Sequence, residues 1–506
     1  MRTKLNVGVA LDPRSLLIHR TGRRRLPGPL PLQWGWAGAL FLLYVTLSAR
    51  RHALLRSTGY DLGIFEQAVR AYSELRAPVA PLKGEGFNLL GDHFHPVLAV
   101  LGPFYRLWPS PYCLLAAQAA LLALGVVPLA RWASRALGRP AAHAVAFAYG
   151  ASWGIASAVA FDFHEAAFAV PLLAFAVTAA GNRRWRSAVA WGLPLLLVKE
   201  DLGLTLAALG AYIALKGPVR LGIATVGAGV LGTLLATKVL VPAFSSAGAY
   251  AYGQYVAGTR SSLLATLALA PLDALRPDTK PITLVLVFAV TAFVALRSRL
   301  ALLAVPTLGW RMLSQHDYHW GTAFHYSVVL MPIVFAALVD ALTPYARTAH
   351  PLARRHLRAS LAAAVAVTLV LLPSFPFALL AQRATWSTSR HVETARDLLR
   401  RIPDGATVAA SNRLAPQLTS RCTVVLFPSY PIPGKLYDAS GRPPPPTADW
   451  IIHDRTPAES WPLPRGHWPY PPDRQQAELA AAQRKYDYEL VAARDGLTLL
   501  RHRRLP

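Results

Sequence analysis

The chain has 506 residues, 54% of them hydrophobic and only 15% charged, with a formal net charge of +26. Soluble domains carry about a quarter charged residues, so this composition points to a polytopic membrane protein and excludes an ordinary soluble enzyme. The Lys and Arg residues fall in short groups between apolar runs, which suits cytoplasmic loops better than a nucleic-acid-binding surface, and two cysteines exclude a disulfide framework.

Residues 1–31 read as a basic cytoplasmic tail, with Arg20, Arg23, Arg24 and Arg25 ahead of the first apolar run. That run, 32–49, is predicted to be an uncleaved signal anchor in the plasma membrane. The charge asymmetry leaves the N-terminus inside and the first loop, 50–96, outside. In that loop residues 61–76 place Leu62, Phe65, Val69 and Tyr72 at helical spacing, an amphipathic helix for the outer interface. Glu66, one turn along, is expected to be silent to substitution provided that it faces solvent.

Residues 96–108 are too short to cross and read as re-entrant. Further spans are predicted over 112–130, 141–160, 166–181, 187–198, 202–215, 221–241, 281–296, 300–313, 324–342 and 359–381, about eleven in all with the first. The Arg groups at 131–139, 183–186 and 347–358 then fall inside, and every Asp/His/Glu cluster falls outside. Residues 32–381 form the membrane domain. Residues 382–506 alternate short apolar runs with helix-like segments and are predicted to be a small extracytoplasmic α/β domain. It carries no Walker, dinucleotide-binding or nucleophile-elbow motif, and it is expected to cap a cavity and contribute to acceptor binding.

Asp61 follows the first span. It is either a helix N-cap or one of several charges that face a cavity, as charges near spans tend to do. Asp162 and Glu165, spaced i, i+3, would share a helical face and hold a cation or a sugar hydroxyl, or merely cap a span; His164 would point elsewhere. Asp92, His93 and His95 are candidate ligands for a divalent cation, Mg²⁺ or Mn²⁺, or simply a polar loop before Pro96. Lys199, Glu200 and Asp201 sit between short spans that would hold them near membrane depth, where Lys199 would meet phosphate as a point charge. Arg311, His316, His319, His325 and Tyr326 would grip an anionic head group; with Trp310 and Trp320 they also fit an interfacial aromatic belt.

The segments YDLGIFEQAV, NLLGDHFHP, FDFHEAAFAVPLL, LLVKEDLGL and FHYSVVLMP, in this order, resemble a family of bacterial polytopic membrane proteins catalogued as a domain of unknown function. That family in turn resembles the C-type (GT-C) glycosyltransferases, integral membrane enzymes that use polyprenyl-phosphate sugars. The resemblance implies that Asp61 is the first-loop acid and catalytic base, that Asp162 and Glu165 match a second acidic motif, and that the C-terminal domain lies outside. The first loop lacks Asp-x-Asp or Glu-x-Asp, which leaves metal dependence open. The implied function is transfer of a sugar from a polyprenyl-phosphate donor to a glycan, lipid or protein acceptor on the outer face. The rival is a non-catalytic lipid-binding, transport or envelope-assembly protein. A transporter should carry mid-span ionisable groups and internal repeats, and neither is seen.

Overall fold

The computed structural model describes residues 31–253, 272, 274–428, 447–456 and 470–503. The basic tail, apart from residue 31, and the Pro-rich piece 443–446 lie outside the described residues. The chain is mainly helical, and five of its described helices are long and apolar enough to cross a membrane: Leu32–Ala53, Pro111–Leu137, Val219–Phe244, His325–Ala346 and Pro351–Ser374. The shortest of them, at 22 residues, reaches about 33 Å, enough for a hydrocarbon core of about 30 Å. Shorter apolar helices include Ala166–Gly181, Leu202–Lys216 and Thr279–Ala289.

Several expected spans are broken helices. Residues 141–160 divide into Arg139–Gly150 and Trp153–Ala160. Residues 187–198 divide into Trp185–Gly192 and a tight 3₁₀ segment, Leu193–Leu197, with Pro194 in its first turn. Residues 300–313 divide into Arg299–Ala304 and Val305–Leu313, which has Pro306 in its first turn. Proline lacks the donor that continues a helix. Such breaks are tolerated at membrane depth only where protein covers the freed backbone groups.

Helices Ala166–Gly181 and Leu330–Ala346 are buried along most of their length and form the centre of the bundle. Helices Leu202–Lys216 and Val219–Leu235 pack almost backbone to backbone. A Cβ on Gly222 would stand 2.3 Å from the Ala214 nitrogen, and one on Gly229 would stand 2.3 Å from the Gly203 oxygen. Small residues permit this approach, the usual driver of helix pairing where burial from water is absent.

The first-loop helix, Ile64–Ser73, does not lie on a membrane surface. Leu62, Phe65 and Val69 are buried as the periodicity requires, but Glu66 and Gln67 beyond that apolar side are buried too. The Gln67 amide donates to the Val424 carbonyl at 2.8 Å and accepts from the Leu82 N–H at 3.1 Å. The Glu66 carboxyl accepts from the Tyr105 hydroxyl at 2.9 Å and from the Thr419 hydroxyl. Glu66 is therefore a buried contact to the C-terminal domain, and it cannot serve as a solvent-facing control.

The C-terminal domain is a five-stranded sheet: β1 Thr407–Ala410, β2 Thr423–Leu426, β3 Trp450–Asp454, β4 Tyr488–Arg494 and β5 Leu497–His502. The order is β2-β1-β3-β5-β4, with β1 parallel to β2 and β3, and β5 antiparallel to β3 and β4. Helices Arg390–Arg400 and Pro472–Lys485 accompany it. Its apolar side chains Leu418 and Val424 belong to the same continuous core as Leu62 and Phe65 of the first loop.

Candidate functional site

A cavity of about 480 Å³ opens where the first loop, the loops 161–165 and 198–201, and the segment 314–326 meet. Its geometry begins at Asp61. This residue has φ 137° and ψ −78°, a region that side-chain-bearing residues rarely occupy and that persists only where the surroundings enforce it. The enforcing contacts are visible. The Thr58 N–H and hydroxyl donate to Asp162 Oδ2 at 2.8 and 3.1 Å. The Gly59 N–H donates to the Asn412 carbonyl at 2.6 Å, and the Tyr60 N–H donates to Asn412 Oδ1 at 2.9 Å.

The helix after Asp61 has Gly63 at its N-cap and no side-chain capping bond. The Asp61 side chain instead lines the cavity. Burial, with the negative charges of Asp162 and Glu165, raises its carboxyl well above the usual range, while Lys83 and Lys199 pull it down.

Asp92, His93 and His95 also line the cavity, but each has its own surroundings. Asp92 pairs with Lys83 and accepts from the Tyr252 hydroxyl at 2.9 Å. Burial opposes its ionisation, yet Lys83 and His93 hold it at about 2. His93 Nδ1 meets Glu200 Oε1 at 2.6 Å, and its ring stacks on Tyr252 at 4.1 Å. His95 packs edge-on against Phe65 at 5.8 Å. Among the described residues no three His, Cys, Asp or Glu side chains are placed to hold a metal ion.

Glu200 accepts from the Phe94 N–H at 3.1 Å and from the Tyr250 hydroxyl at 3.0 Å, so it ties the end of the first loop to the loop 198–201. Lys199 and Asp201 stand beside it in the cavity wall.

The second acidic pair is arranged differently from the helical expectation. The helix begins only at Ala166, and Asp162 has φ 61°, so the i, i+3 rule does not apply. Asp162 holds Thr58. Glu165 is fully buried and lies 2.8 Å from His164 Nδ1 and 3.2 Å from Lys199 Nζ. Neither carboxylate lines the cavity, although His164 and Lys199 do. The Gln118 side chain pins this loop, donating to the Ala158 carbonyl at 3.1 Å and accepting from the His164 N–H at 2.9 Å.

Arg311 is also set back from the wall. Its guanidinium donates to the His319 carbonyl at 2.8 Å, the Gly321 carbonyl at 3.0 Å and the Ser327 hydroxyl at 2.9 Å. It braces the segment that presents His316, His319, His325 and Tyr326 to the cavity. The His325 ring stacks on His164 at 3.3 Å, and Trp310 packs edge-on against His319 at 5.1 Å.

Reading the sequence missed Lys83, Tyr250, Tyr252 and Asn412, all in the wall. Lys83 lies in a Gly-containing loop and carries a signal only once Asp92 is known to face it. Tyr250 and Tyr252 fall in a stretch whose Tyr content was visible but carried no spacing. Asn412 reaches the site from more than 300 residues away, which no local pattern reveals.

Residues 51–499 match the family described as Predicted membrane protein (DUF2079). The chain belongs to this family. No curated protein sequence matches it. Among solved structures, this DUF2079 protein is similar to ArnT from Cupriavidus metallidurans bound to undecaprenyl phosphate, with a TM-score of 0.54 and 14% identity over 92% of this chain and 98% of that one. ArnT of the same organism in the apo state aligns over the same shares at a TM-score of 0.45. The likeness establishes the fold. It is a GT-C-like helical membrane protein with a small C-terminal sheet domain, as the order of motifs led one to expect.

Proposed function

We propose that this DUF2079 protein transfers a sugar from a polyprenyl-phosphate donor to an acceptor hydroxyl on the outer face of the membrane. The observation that carries the proposal is Asp61. Its carboxylate is held on strained backbone, faces the cavity, and has no hydrogen-bond or ion-pair partner among the described residues. The ArnT likeness supports the fold needed for such a reaction, and that structure holds undecaprenyl phosphate.

In this reading Asp61 takes the proton of the acceptor hydroxyl. The acceptor oxygen forms a bond to the anomeric carbon as the bond from that carbon to the phosphate oxygen breaks. The electron pair leaves with the polyprenyl phosphate, and the anomeric centre inverts. Lys83 and Lys199 supply positive charge for the leaving phosphate. His164, His316, His319 and His325, with Tyr326, offer N–H and O–H groups to the phosphate and the sugar. Glu200 and Asp201 complete the polar wall, while Asp162, Glu165 and Arg311 position what the substrate touches. Ile64, Phe161 and Leu204 give the cavity an apolar side, suited to the first isoprene units. No step requires a metal ion.

The test is release of polyprenyl phosphate from labelled lipid-linked sugars by the purified protein. Release supports transfer. Tight binding of the donor by folded protein with no release, across donors and acceptors, would instead favour a non-catalytic lipid-binding role.

A further inference from the structure

A second cavity lies away from the first. Helices Ala166–Gly181 and Leu202–Lys216 both start at loops that line the first cavity. They run 16 and 15 residues, so their far ends lie about 23 Å away. There Arg184, Trp185, Arg186, Pro218, Arg220 and Leu221 enclose an open pocket of about 710 Å³. The three guanidinium groups are exposed, and among the described residues no carboxylate pairs with any of them.

The apolar part of the pocket is built rather than incidental. Trp185 lies across Gly217, where a Cβ would come within 2.5 Å of the indole. Exposed Leu215, Val219 and Ile223 continue from the pocket along the helices that flank it, one of which is long enough to span the bilayer. A concentration of unpaired positive charge, an indole and an adjoining apolar strip at a helix end matches a phosphate head group whose acyl chains lie against the protein. A free phosphate would use the charges but not the strip.

We propose that this pocket binds an anionic phospholipid, with the head-group phosphate on Arg184, Arg186 and Arg220 and the acyl chains along Leu215, Val219 and Ile223. The site is independent of the transfer reaction. The experiment measures lipid retained by the purified full-length protein by native mass spectrometry, with phosphatidylglycerol or phosphatidylcholine of identical chains. Phosphatidylglycerol should be retained roughly tenfold better. The R184Q/R186Q/R220Q variant should lose that preference, while R354Q/R355Q/R358Q, which removes the same charge elsewhere, should keep it. Gly217→Ala keeps every charge but displaces Trp185, and it should weaken retention. Inorganic phosphate should stabilise the protein less than the lipid does. Equal retention of the two lipids, retention unchanged in the triple or Gly217→Ala variant, equal loss in the control variant, or equal stabilisation by inorganic phosphate would overturn the assignment.

Discussion

Glu66 shows how a single carboxyl group records the packing around it. Burial raises it from an ordinary 4.5 to about 7, against the hydrogen bonds from Thr419 and Tyr105. With a raised folded-state value, the folded protein binds the proton more tightly than the unfolded chain. Stability is therefore fullest below about 4.5 and falls as pH rises towards 7, by on the order of 3 kcal/mol. Thermal melts of the wild type should show that decline, and Glu66→Gln should flatten it; a Glu66→Gln protein with the same slope would contradict the assignment. Asp61 has the same sign of shift with a functional outcome. As the base it works only when deprotonated, so transfer should fall, as pH is lowered, at values well above the ordinary 3.8 of an aspartate carboxyl. A pH–rate profile with no such acid limb would remove Asp61 from the base role. Periodicity placed Leu62, Phe65 and Val69 correctly on the inner side of this helix. It could not show that Glu66, at the edge of that apolar side, meets Thr419, because that partner folds in from the far end of the chain.

The element on which the site depends is the turn 58–63. It is held from two directions, by Asp162 beneath and by Asn412 from the C-terminal domain. Asn412→Ala removes the bond to the Tyr60 N–H and leaves a partly buried donor unsatisfied, which costs about 1–3 kcal/mol. The turn should loosen with little change elsewhere, so hydrogen exchange at residues 58–63 should accelerate and transfer should fall about tenfold or more. Unchanged exchange there would mean that Asp162 and the backbone carbonyl of residue 412 suffice to hold the turn. Apolar runs and flanking charges located the five described helices that are long enough to cross a membrane, because burial in lipid demands such runs; the shorter expected spans are not all continuous helices. The prolines at 194 and 306 mark breaks that the reading of continuous spans over 187–198 and 300–313 passed over. What stayed hidden was direction. Asp162 and Glu165 look like a helical pair in sequence, but the helix starts after them, and they turn to different partners.

For the molecule as a whole, the C-terminal sheet is part of the site rather than an attachment. Its Leu418 and Val424 share one core with the first loop, Arg413 donates to the Leu55 carbonyl at 2.9 Å, and Asn412 lines the cavity. Ending the chain near residue 382 exposes that core, and the truncated protein should melt well below the full chain or fail to purify as a single species. A truncation of unchanged stability would show the sheet domain to be separable. The central claim, that this cavity performs transfer with Asp61 as base, is tested most directly by one paired measurement. Polyprenyl-phosphate release from the same lipid-linked sugar is followed for the wild type and for Asp61→Asn, with equal melting temperatures confirmed. The account predicts a loss of roughly 10²-fold or more in the variant; an Asp61→Asn protein that releases polyprenyl phosphate at the wild-type rate would contradict it.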